Sequence, residues 1–157
     1  MQKQEGRELR GRCVLHDDMA GLLDQLDAAD GIVLAAPTNF YNVNALTRRF
    51  IERLIPYGYW PWGAKAPRLR RDMIDHPPPR KPAVILTTSA APGFLARLFM
   101  PGARGALKTA AHMLGAKVQT SLTLGMVAQA PEGTLSERDK RRAFEAGRRL
   151  GASVGGR

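Results

Sequence analysis

Gly31-Ile-Val-Leu-Ala-Ala-Pro-Thr-Asn-Phe-Tyr-Asn-Val43 is the stretch of the sequence that decides the fold. Its apolar run is opened by Asp30-Gly31 and closed by Pro37, a pattern typical of a short strand buried on both faces of a parallel sheet. A polar and aromatic loop follows, and an amphipathic helix at about residues 44–55 comes directly after it. We therefore expect the loop at the carboxyl end of a strand, where open α/β sheets bind their ligands.

Two amphipathic helices are predicted around this strand. Asp17 or Asp18 is placed to cap the first, in which apolar residues recur at i, i+3, i+4 and i+7: Met19, Leu22, Leu23 and Leu26. In the second helix the residues predicted to be buried are Val43, Leu46, Phe50, Ile51 and Leu54. Both apolar stripes need a sheet to pack on, and the strand from Gly31 supplies one.

The carboxyl-terminal half continues the alternation. Residues 83–89 form a second apolar run that ends in a small polar loop at 87–93. Pro101 and Gly102 start a helix, and Gly115 is well placed as its C′ residue. Residues 117–124 alternate as an edge strand does. A capping box at 135–139 opens a last helix, whose predicted inner stripe is Ala143, Phe144, Gly147 and Leu150.

The predicted order is helix, strand, helix, strand, helix, strand, helix. This alternation favours a three-layer α/β fold with a parallel sheet and right-handed crossovers. The two strand ends, at residues 37–43 and 87–93, then converge on one edge of the sheet. We divide the chain into a loose amino-terminal segment at 1–16, an α/β domain at 17–152 with a proline- and aromatic-rich loop insertion at 56–82, and a tail at 153–157.

Composition bounds the class of protein. The 157 residues, 44% hydrophobic and 24% charged, suit one globular domain with a substantial core. The apolar runs are too short to cross a bilayer and no signal-peptide pattern opens the chain, so we expect a soluble, cytoplasmic protein without membrane contact. Cys13 is the only cysteine, which excludes an internal disulfide and a metal site built from cysteines of this chain alone. No metal site is predicted.

The net charge of +10 at pH 7 favours anionic partners such as nucleotides, nucleic acid or an acidic surface. The arginines are spread along the chain, however, so solvated helix faces account for the same charge. The sequence holds no zinc-finger spacing, no RNA-binding aromatic motif and no block of five or more Lys and Arg. We therefore rank nucleic-acid binding last among the functions considered.

Residues 56–82 contain too many prolines and glycines for a regular element. Four aromatic residues stand at the start of this segment: Tyr57, Tyr59, Trp60 and Trp62. Two interpretations stay open. The rings cover a flat ligand or a second subunit, or they pack back onto their own helix.

Several of these motifs occur together in a known family. They are Asp30-Gly31, Pro37, Tyr41 and a helix that ends in Phe-Ile-x-Arg at residues 50–53, in the same order and spacing. With Thr87-Thr-Ser-Ala90 and Leu114-Gly-Ala-Lys-Val118, they make the chain resemble the NADPH-dependent FMN reductase family, which has a flavodoxin-like fold. The resemblance extends over nearly the whole chain and is strongest at residues 13–54.

This resemblance implies an FMN-dependent NAD(P)H oxidoreductase of the flavin or quinone reductase type, active as a homo-oligomer. In the family, the loop that matches residues 37–43 lies along the isoalloxazine ring, and the loop that matches 88–93 flanks the same ring. The implied flavin contacts are Pro37, Thr38, Asn39, Phe40, Tyr41, Asn42 and Val43, and after them Thr88, Ser89 and Ala90.

The resemblance implies no catalytic acid or base. Hydride passing from NADPH or NADH through FMN to a small-molecule electron acceptor is the cofactor's own chemistry, while the protein orients and tunes the ring. Cys13 matches the last cysteine of a cluster found in iron-sulfur relatives. Because its companion cysteines are absent, a free thiol is favoured over a metal ligand.

The chain also departs from the family pattern. Members normally begin with a strand, a Gly/Ser-rich phosphate loop, a helix and a second strand, upstream of the segment that residues 13–19 match. That phosphate loop holds the FMN phosphate at a helix N-terminus. In the strand order 2-1-3-4-5 the first strand is central. We therefore predict an incomplete flavodoxin-like sheet of three strands, in which the strand from Gly31 is an exposed apolar edge.

Two hypotheses account for this departure. The chain is an amino-terminally truncated member that lacks roughly fifty residues, or a partner chain donates the missing strands. The alternative to an oxidoreductase is accordingly a truncated, flavin-free remnant or interaction module of the same fold.

Overall fold

A computed structural model describes residues 15–129 and 133–156. Its helices are α1 (Met19–Ala28), α2 (Ala45–Glu52), α3 (Gly93–Phe99), α4 (Pro101–Met113) and α5 (Glu137–Gly155). Its strands are β1 (Ile32–Asn39), β2 (Asn42–Val43), β3 (Gly58–Tyr59), β4 (Arg68–Leu69), β5 (Lys81–Thr88) and β6 (Ala116–Leu124). The predictions for residues 1–14, including Cys13, lie outside the described residues.

Three long parallel strands form the main sheet, whose order is β2-β1-β5-β6. β1 pairs with β5 from Ile32↔Ala83 to Pro37↔Thr88. β5 pairs with β6 along its whole length, also in parallel. The short β2 is antiparallel to the end of β1. The predicted parallel α/β sheet of three strands is confirmed, and the two-residue strand β2 is an addition to it.

Hydrophobic cores lie on both faces of this sheet, which makes three layers. On one face α1 and α4 pack against the strands through residues such as Leu23, Ile85 and Leu107, all nearly inaccessible to solvent. On the other face α5 places the buried Ala146 against Val84 and Leu122 of the sheet. The central strand β5 is covered on both sides, which explains its nearly continuous apolar run.

β1 is covered less completely than β5. Its outer edge pairs with β2 only through Thr38 and Asn39. On that outer side, no strand among the described residues lies beside residues 32–37. Val33 is paired with Val84, which α5 covers, yet Val33 itself is 58% exposed. In the part of the chain that the structure describes, β1 is the exposed apolar edge that the sequence predicts.

The predictions that Phe144 and Gly147 belong to the inner stripe of α5 are wrong, since Phe144 is 75% exposed and Gly147 is exposed as well. The inner stripe consists of Ala143, Ala146 and Leu150, which share one helix face at i, i+3 and i+7. Apolar periodicity favours the larger Phe144, but the close approach of α5 to the sheet is made by the small side chain of Ala146.

Two leucines of α1 and α2 that the sequence predicts on the inward, apolar face are exposed instead. Leu46 of α2 is 73% exposed, and Leu22 of α1 is 43% exposed. In α2 the inward side is held by Phe50 and Ile51, which are only partly buried. Neither leucine contributes to the core, because each helix presents a narrower apolar stripe to the sheet than its sequence suggests.

The predicted caps of α4 and α5 are confirmed, and α2 has an N-cap that is not predicted from the sequence. Ser136 Oγ accepts a hydrogen bond from Asp139 N at 3.1 Å at the start of α5. Asn44 Oδ1 accepts one from Thr47 N at 2.9 Å at the start of α2. Gly115 follows α4 with φ at 73°, the left-handed conformation of a C′ glycine.

At α1 the side chain that accepts a capping hydrogen bond is that of Asp17. Met19 N donates to Asp17 Oδ1 at 3.1 Å, whereas Asp18 makes no side-chain capping bond. The same carboxylate accepts a hydrogen bond from the Arg53 guanidinium at 2.9 Å, which ties α1 to the end of α2. This hydrogen bond from Arg53 lowers the pKa of Asp17 below its ordinary value of 3.8.

Residues 56–82 contain two short strands, β3 and β4, that pair as a small separate sheet, together with 3-10 turns at Ile55–Tyr57 and Arg70–Met73. The four aromatic residues behave differently from one another. Tyr57 is buried and its hydroxyl donates to Asp27 Oδ1 at 2.8 Å. Arg70 lies over the Tyr59 ring, 5.9 Å from its centre. Trp60 and Trp62 are exposed.

The interpretation that the rings pack back onto the protein holds for part of this cluster, and the interpretation that they cover a ligand or a second subunit stays a prediction for the rest. Tyr57 and Tyr59 pack back onto the protein, and Trp60 and Trp62 stay available for contacts.

In the described part of the chain, no helix combines the length and the apolar character that crossing a membrane requires.

Candidate functional site

The polar and aromatic segment after Pro37 folds as a tight β-hairpin. Thr38 pairs with Val43 and Asn39 with Asn42, so that Phe40 and Tyr41 are the two residues of the turn. β1 thus continues two residues past Pro37, where the sequence predicts its end. A proline is tolerated here because β1 is an edge strand over most of its length and its outer side needs no N–H donor.

Both turn residues adopt the left-handed backbone conformation. Phe40 has φ at 45° and Tyr41 has φ at 65°. Positive φ at both central positions is typical of a type I′ turn, which normally places Asn, Asp or Gly there because a Cβ is strained in this region. Two bulky aromatic residues in succession are therefore a local departure from favourable backbone geometry, the kind of strain that concentrates at functional sites.

The turn presents its aromatic rings to solvent. Phe40 is fully exposed and Tyr41 is 61% exposed. Burial of the rings therefore provides little compensation for the strained backbone. The hairpin is instead anchored through Val43, which is buried, and through Asn44, which caps α2.

The backbone at the start of α4 packs directly against the hairpin turn. A Cβ on Gly102 would lie 2.5 Å from the carbonyl oxygen of Tyr41, a distance that no side chain can accept. The backbone of α4 and that of the turn are thus in direct contact. The sequence signals a helix start at Pro101-Gly102, but it contains no signal for this close approach, so Gly102 is a site residue that sequence reasoning missed.

The second predicted group follows β5 and lies beside the hairpin strand. Thr88 ends β5 directly opposite Pro37. Ser89 is buried: its N donates to Leu124 O at 2.9 Å and its Oγ accepts from Ala91 N at 3.1 Å. Ala90 is exposed. The structure therefore places the two predicted groups together at the carboxyl ends of β1 and β5. The Ser89 hydroxyl is already hydrogen-bonded within its own turn.

The turn after β5 is itself packed without space for larger residues. A Cβ on Gly125 would lie 2.1 Å from the backbone nitrogen of Gly93 and 2.7 Å from the carbonyl oxygen of Ala91. The segment after β6 therefore rests directly on the turn that carries Ser89 and Ala90. The contact of these two glycines is not predicted from the sequence, because nothing local indicates that distant backbone segments touch.

The candidate site contains almost no acid–base chemistry. Among the ten predicted residues, Tyr41 is the only one with a titratable side chain. Altered pKa values occur elsewhere: burial lowers the pKa of Lys81, whose Nζ donates to Leu26 O at 2.7 Å at the other end of β5. Within residues 15–129 and 133–156, no three His, Cys, Asp or Glu side chains are grouped as a metal ion would require.

The chain matches the family model described as "NADPH-dependent FMN reductase" over residues 2–114. An iron-sulfur flavoprotein of Archaeoglobus fulgidus is 40% identical to it over 52 residues, which are 33% of this chain and 24% of that protein.

Among solved structures, a flavone reductase matches with a TM-score of 0.61 and 17% identity, over 90% of this chain and 48% of the other. An NADH:FMN oxidoreductase in its apo form matches with a TM-score of 0.53 and 16% identity, over 88% of this chain and 61% of the other. These likenesses confirm the flavodoxin-like fold. The chain spans about half the length of the flavone reductase and a quarter of the iron-sulfur flavoprotein.

Proposed function

The chain belongs to the NADPH-dependent FMN reductase family, and from that membership we propose that it is an FMN-dependent NAD(P)H oxidoreductase of the flavin or quinone reductase type. The hairpin tip and the turn after β5 bind the isoalloxazine ring of FMN. The observation that supports this most is the pair of exposed aromatic residues, Phe40 and Tyr41, held at positive φ at the carboxyl end of the sheet.

The hairpin has the surface that a flat, largely apolar ring requires. Phe40 and Tyr41 offer aromatic area for stacking. Asn39 and Asn42 stand directly before and after them and carry amide groups for the polar edge of a ring. Asn42 Oδ1 already accepts a hydrogen bond from Val43 N at 2.8 Å, so Asn42 contributes its NH2 group. Thr88, Ser89 and Ala90 contribute from the neighbouring strand, and Ser89 does so through its backbone because its hydroxyl is already bonded within the turn.

The chemistry supplied by bound FMN is acceptance of a hydride from NADPH or NADH and delivery of electrons to a small-molecule acceptor. The residues of this chain orient the ring and exclude water from one of its faces. Titratable groups are scarce at the hairpin and the turn, which fits a site where FMN supplies the redox chemistry and the protein orients the ring. Activity as a homo-oligomer and a cytoplasmic location stay predictions of this proposal.

A flavin-free interaction module of the same fold is the second candidate. None of the ten residues assigned to ring contact carries a positive charge that pairs with the phosphate of FMN. The outer edge of β1 is also uncovered among the described residues, and such an edge accepts a strand from another chain. The truncation hypothesis stays a prediction.

Reconstitution with FMN separates the two candidates. We expect the purified protein to quench FMN fluorescence saturably and to retain the flavin through gel filtration, and the complex to oxidise NADPH or NADH in the presence of a quinone. Failure to retain any flavin contradicts the oxidoreductase proposal and favours the flavin-free module.

A matched pair of variants tests the assigned site. Tyr41→Ala removes an aromatic ring from the hairpin and is expected to weaken FMN binding about tenfold, which corresponds to about 1.4 kcal/mol of lost stacking. Phe144→Ala removes a similarly exposed ring from α5 and is expected to leave the affinity unchanged. Equal loss in both variants contradicts the assignment of the ring to the hairpin.

A further inference from the structure

A cavity of about 470 Å³ opens at the carboxyl end of β6. β6 is the edge strand on the other side of the sheet from the hairpin. The walls of the cavity come from the start of α3, from α4, from the last residues of β6 and from the first turns of α5. A volume of this size is typical of a pocket for a small molecule. None of the ten residues assigned to the flavin ring lines it.

Positive charge dominates the lining of this cavity. Four arginines reach it from both sides of the sheet: Arg97 of α3, Arg104 of α4, and Arg138 and Arg142 of α5. Among the described residues that line the cavity, the only carboxylate is that of Asp139. It accepts a hydrogen bond from Arg142 at 2.7 Å and another from the Ser136 hydroxyl at 3.1 Å, so it neutralises one guanidinium and leaves three.

The remaining three arginines lack a paired carboxylate among the described residues. Arg97, Arg104 and Arg138 form no ion pair with any residue that the structure describes. Arg138 is the second residue of α5, where the positive end of the helix dipole disfavours a cation. Like charges collected in one concave site without counter-charges repel one another. An anionic ligand removes that repulsion.

We propose that this cavity binds a phosphate-bearing small molecule with at least two negative charges, as a phosphate monoester or a pyrophosphate. The planar guanidinium group donates two parallel hydrogen bonds to phosphate oxygens, so several arginines recognise such a group better than a monovalent anion. The hydroxyl groups of Ser121 and Thr123 line the same cavity as further donors. Phe94 and Met126 add apolar wall for the organic part of the ligand.

Part of the cavity floor is closely packed backbone. Gly93 and Gly125 both line it, and their backbones are in direct contact. The arginines thus surround a closely packed base, which favours a defined ligand over loosely held counter-ions. Pro92 and Gly93, from the loop at 88–93, line this cavity, but none of the ten residues assigned to the flavin ring does, and the proposal stands whether or not the chain binds FMN.

Isothermal titration of the purified chain with inorganic pyrophosphate tests the proposal. We expect saturable binding to one site, with inorganic phosphate weaker than pyrophosphate. The double variant Arg97→Gln/Arg138→Gln is expected to lose at least about tenfold in affinity. Arg148→Gln removes the same charge from α5 outside the cavity and is expected to bind as the wild type does. Equal affinities in the wild type and the double variant overturn the proposal.

A second variant guards against a folding defect. Ser121→Glu introduces a negative charge into the cavity at an exposed edge position and is expected to abolish pyrophosphate binding with an unchanged circular dichroism spectrum. Pyrophosphate bound by this variant as well as by the wild type overturns the proposal. So does a DNA duplex that binds more tightly than pyrophosphate and is weakened equally by Arg148→Gln, because that result indicates a diffuse basic surface.

Competition identifies the source of the phosphate. Displacement of pyrophosphate by NADPH but not by NADH, with affinity for NADPH lowered by Arg97→Gln/Arg138→Gln, supports the site and assigns the extra phosphate of NADPH to it. Displacement by simple phosphate monoesters alone supports the site for a free organic phosphate.

Discussion

At the scale of single residues, the hairpin turn is where this chain departs most clearly from low-energy backbone geometry. Phe40 and Tyr41 occupy positions that Asn or Gly fills at lower energy, and their rings bury little surface in return. Backbone strain without a packing benefit is expected to have a functional cause, in this case the presentation of two rings to a ligand.

Replacing Phe40 by glycine tests whether the turn is strained. Glycine adopts positive φ freely, and the fully exposed ring contributes no core packing, so Phe40→Gly is expected to raise the thermal midpoint by about 2–4 °C. Phe40→Ala serves as the control, because it removes the same ring but keeps the Cβ that causes the strain. Thermal denaturation followed by circular dichroism measures both. A midpoint that falls in the glycine variant argues against a strained turn.

At the scale of secondary-structure elements, the position of the hairpin depends on α4. The helix begins with Pro101-Gly102, and the absence of a side chain at Gly102 lets its backbone meet the carbonyl of Tyr41. The hairpin tip is therefore fixed by a neighbouring helix as well as by its own two backbone pairings.

Two glycines of α4 allow this contact to be tested in one helix. Gly102→Ala places a Cβ 2.5 Å from Tyr41 O, and displacement of the turn is expected to cost about 1–3 kcal/mol of unfolding free energy. Gly105→Ala meets nothing within 4 Å and is expected to stabilise the helix by about 0.5–1 kcal/mol. Chemical denaturation measures both values. Equal stability of the two variants is incompatible with the contact between α4 and the hairpin.

At the scale of the whole molecule, carboxylates held by arginines make the stability of the fold depend on pH. Hydrogen bonds from Arg148 and then Arg149 lower the pKa of Glu145 from 4.5 to about 2. The hydrogen bond from Arg53 lowers the pKa of Asp17. Because both values are lower in the folded chain, the unfolded chain takes up protons first as the pH falls. The stabilisation is complete above the unfolded values and is lost toward the folded ones.

We therefore expect the thermal midpoint to fall as the pH decreases from about 4.5 toward 2. In Glu145→Gln the fall over this window is expected to be shallower than in the wild type. The double variant Arg148→Gln/Arg149→Gln removes the donors instead of the acceptor and is expected to flatten the curve similarly. Identical slopes in the wild type and both variants would show that these ion pairs make no net contribution.

The sequence by itself determined the alternation of elements, the parallel sheet and the family. These properties are local: the apolar run after Gly31, the capping pair Ser136 and Asp139, and the left-handed position of Gly115 are each set by a few neighbouring residues. The same local signals placed the candidate flavin residues at the carboxyl ends of β1 and β5.

Only the tertiary structure decided how those segments meet. The contact of Gly102 with Tyr41, the packing of Gly125 on Gly93 and the collection of arginines around one cavity all join residues from separate elements. The exposure of Phe144 depends on which face of α5 approaches the sheet, which a periodicity of 3.6 residues leaves uncertain by one position. Such contacts are set by the packing of whole elements, and no short stretch of sequence encodes them.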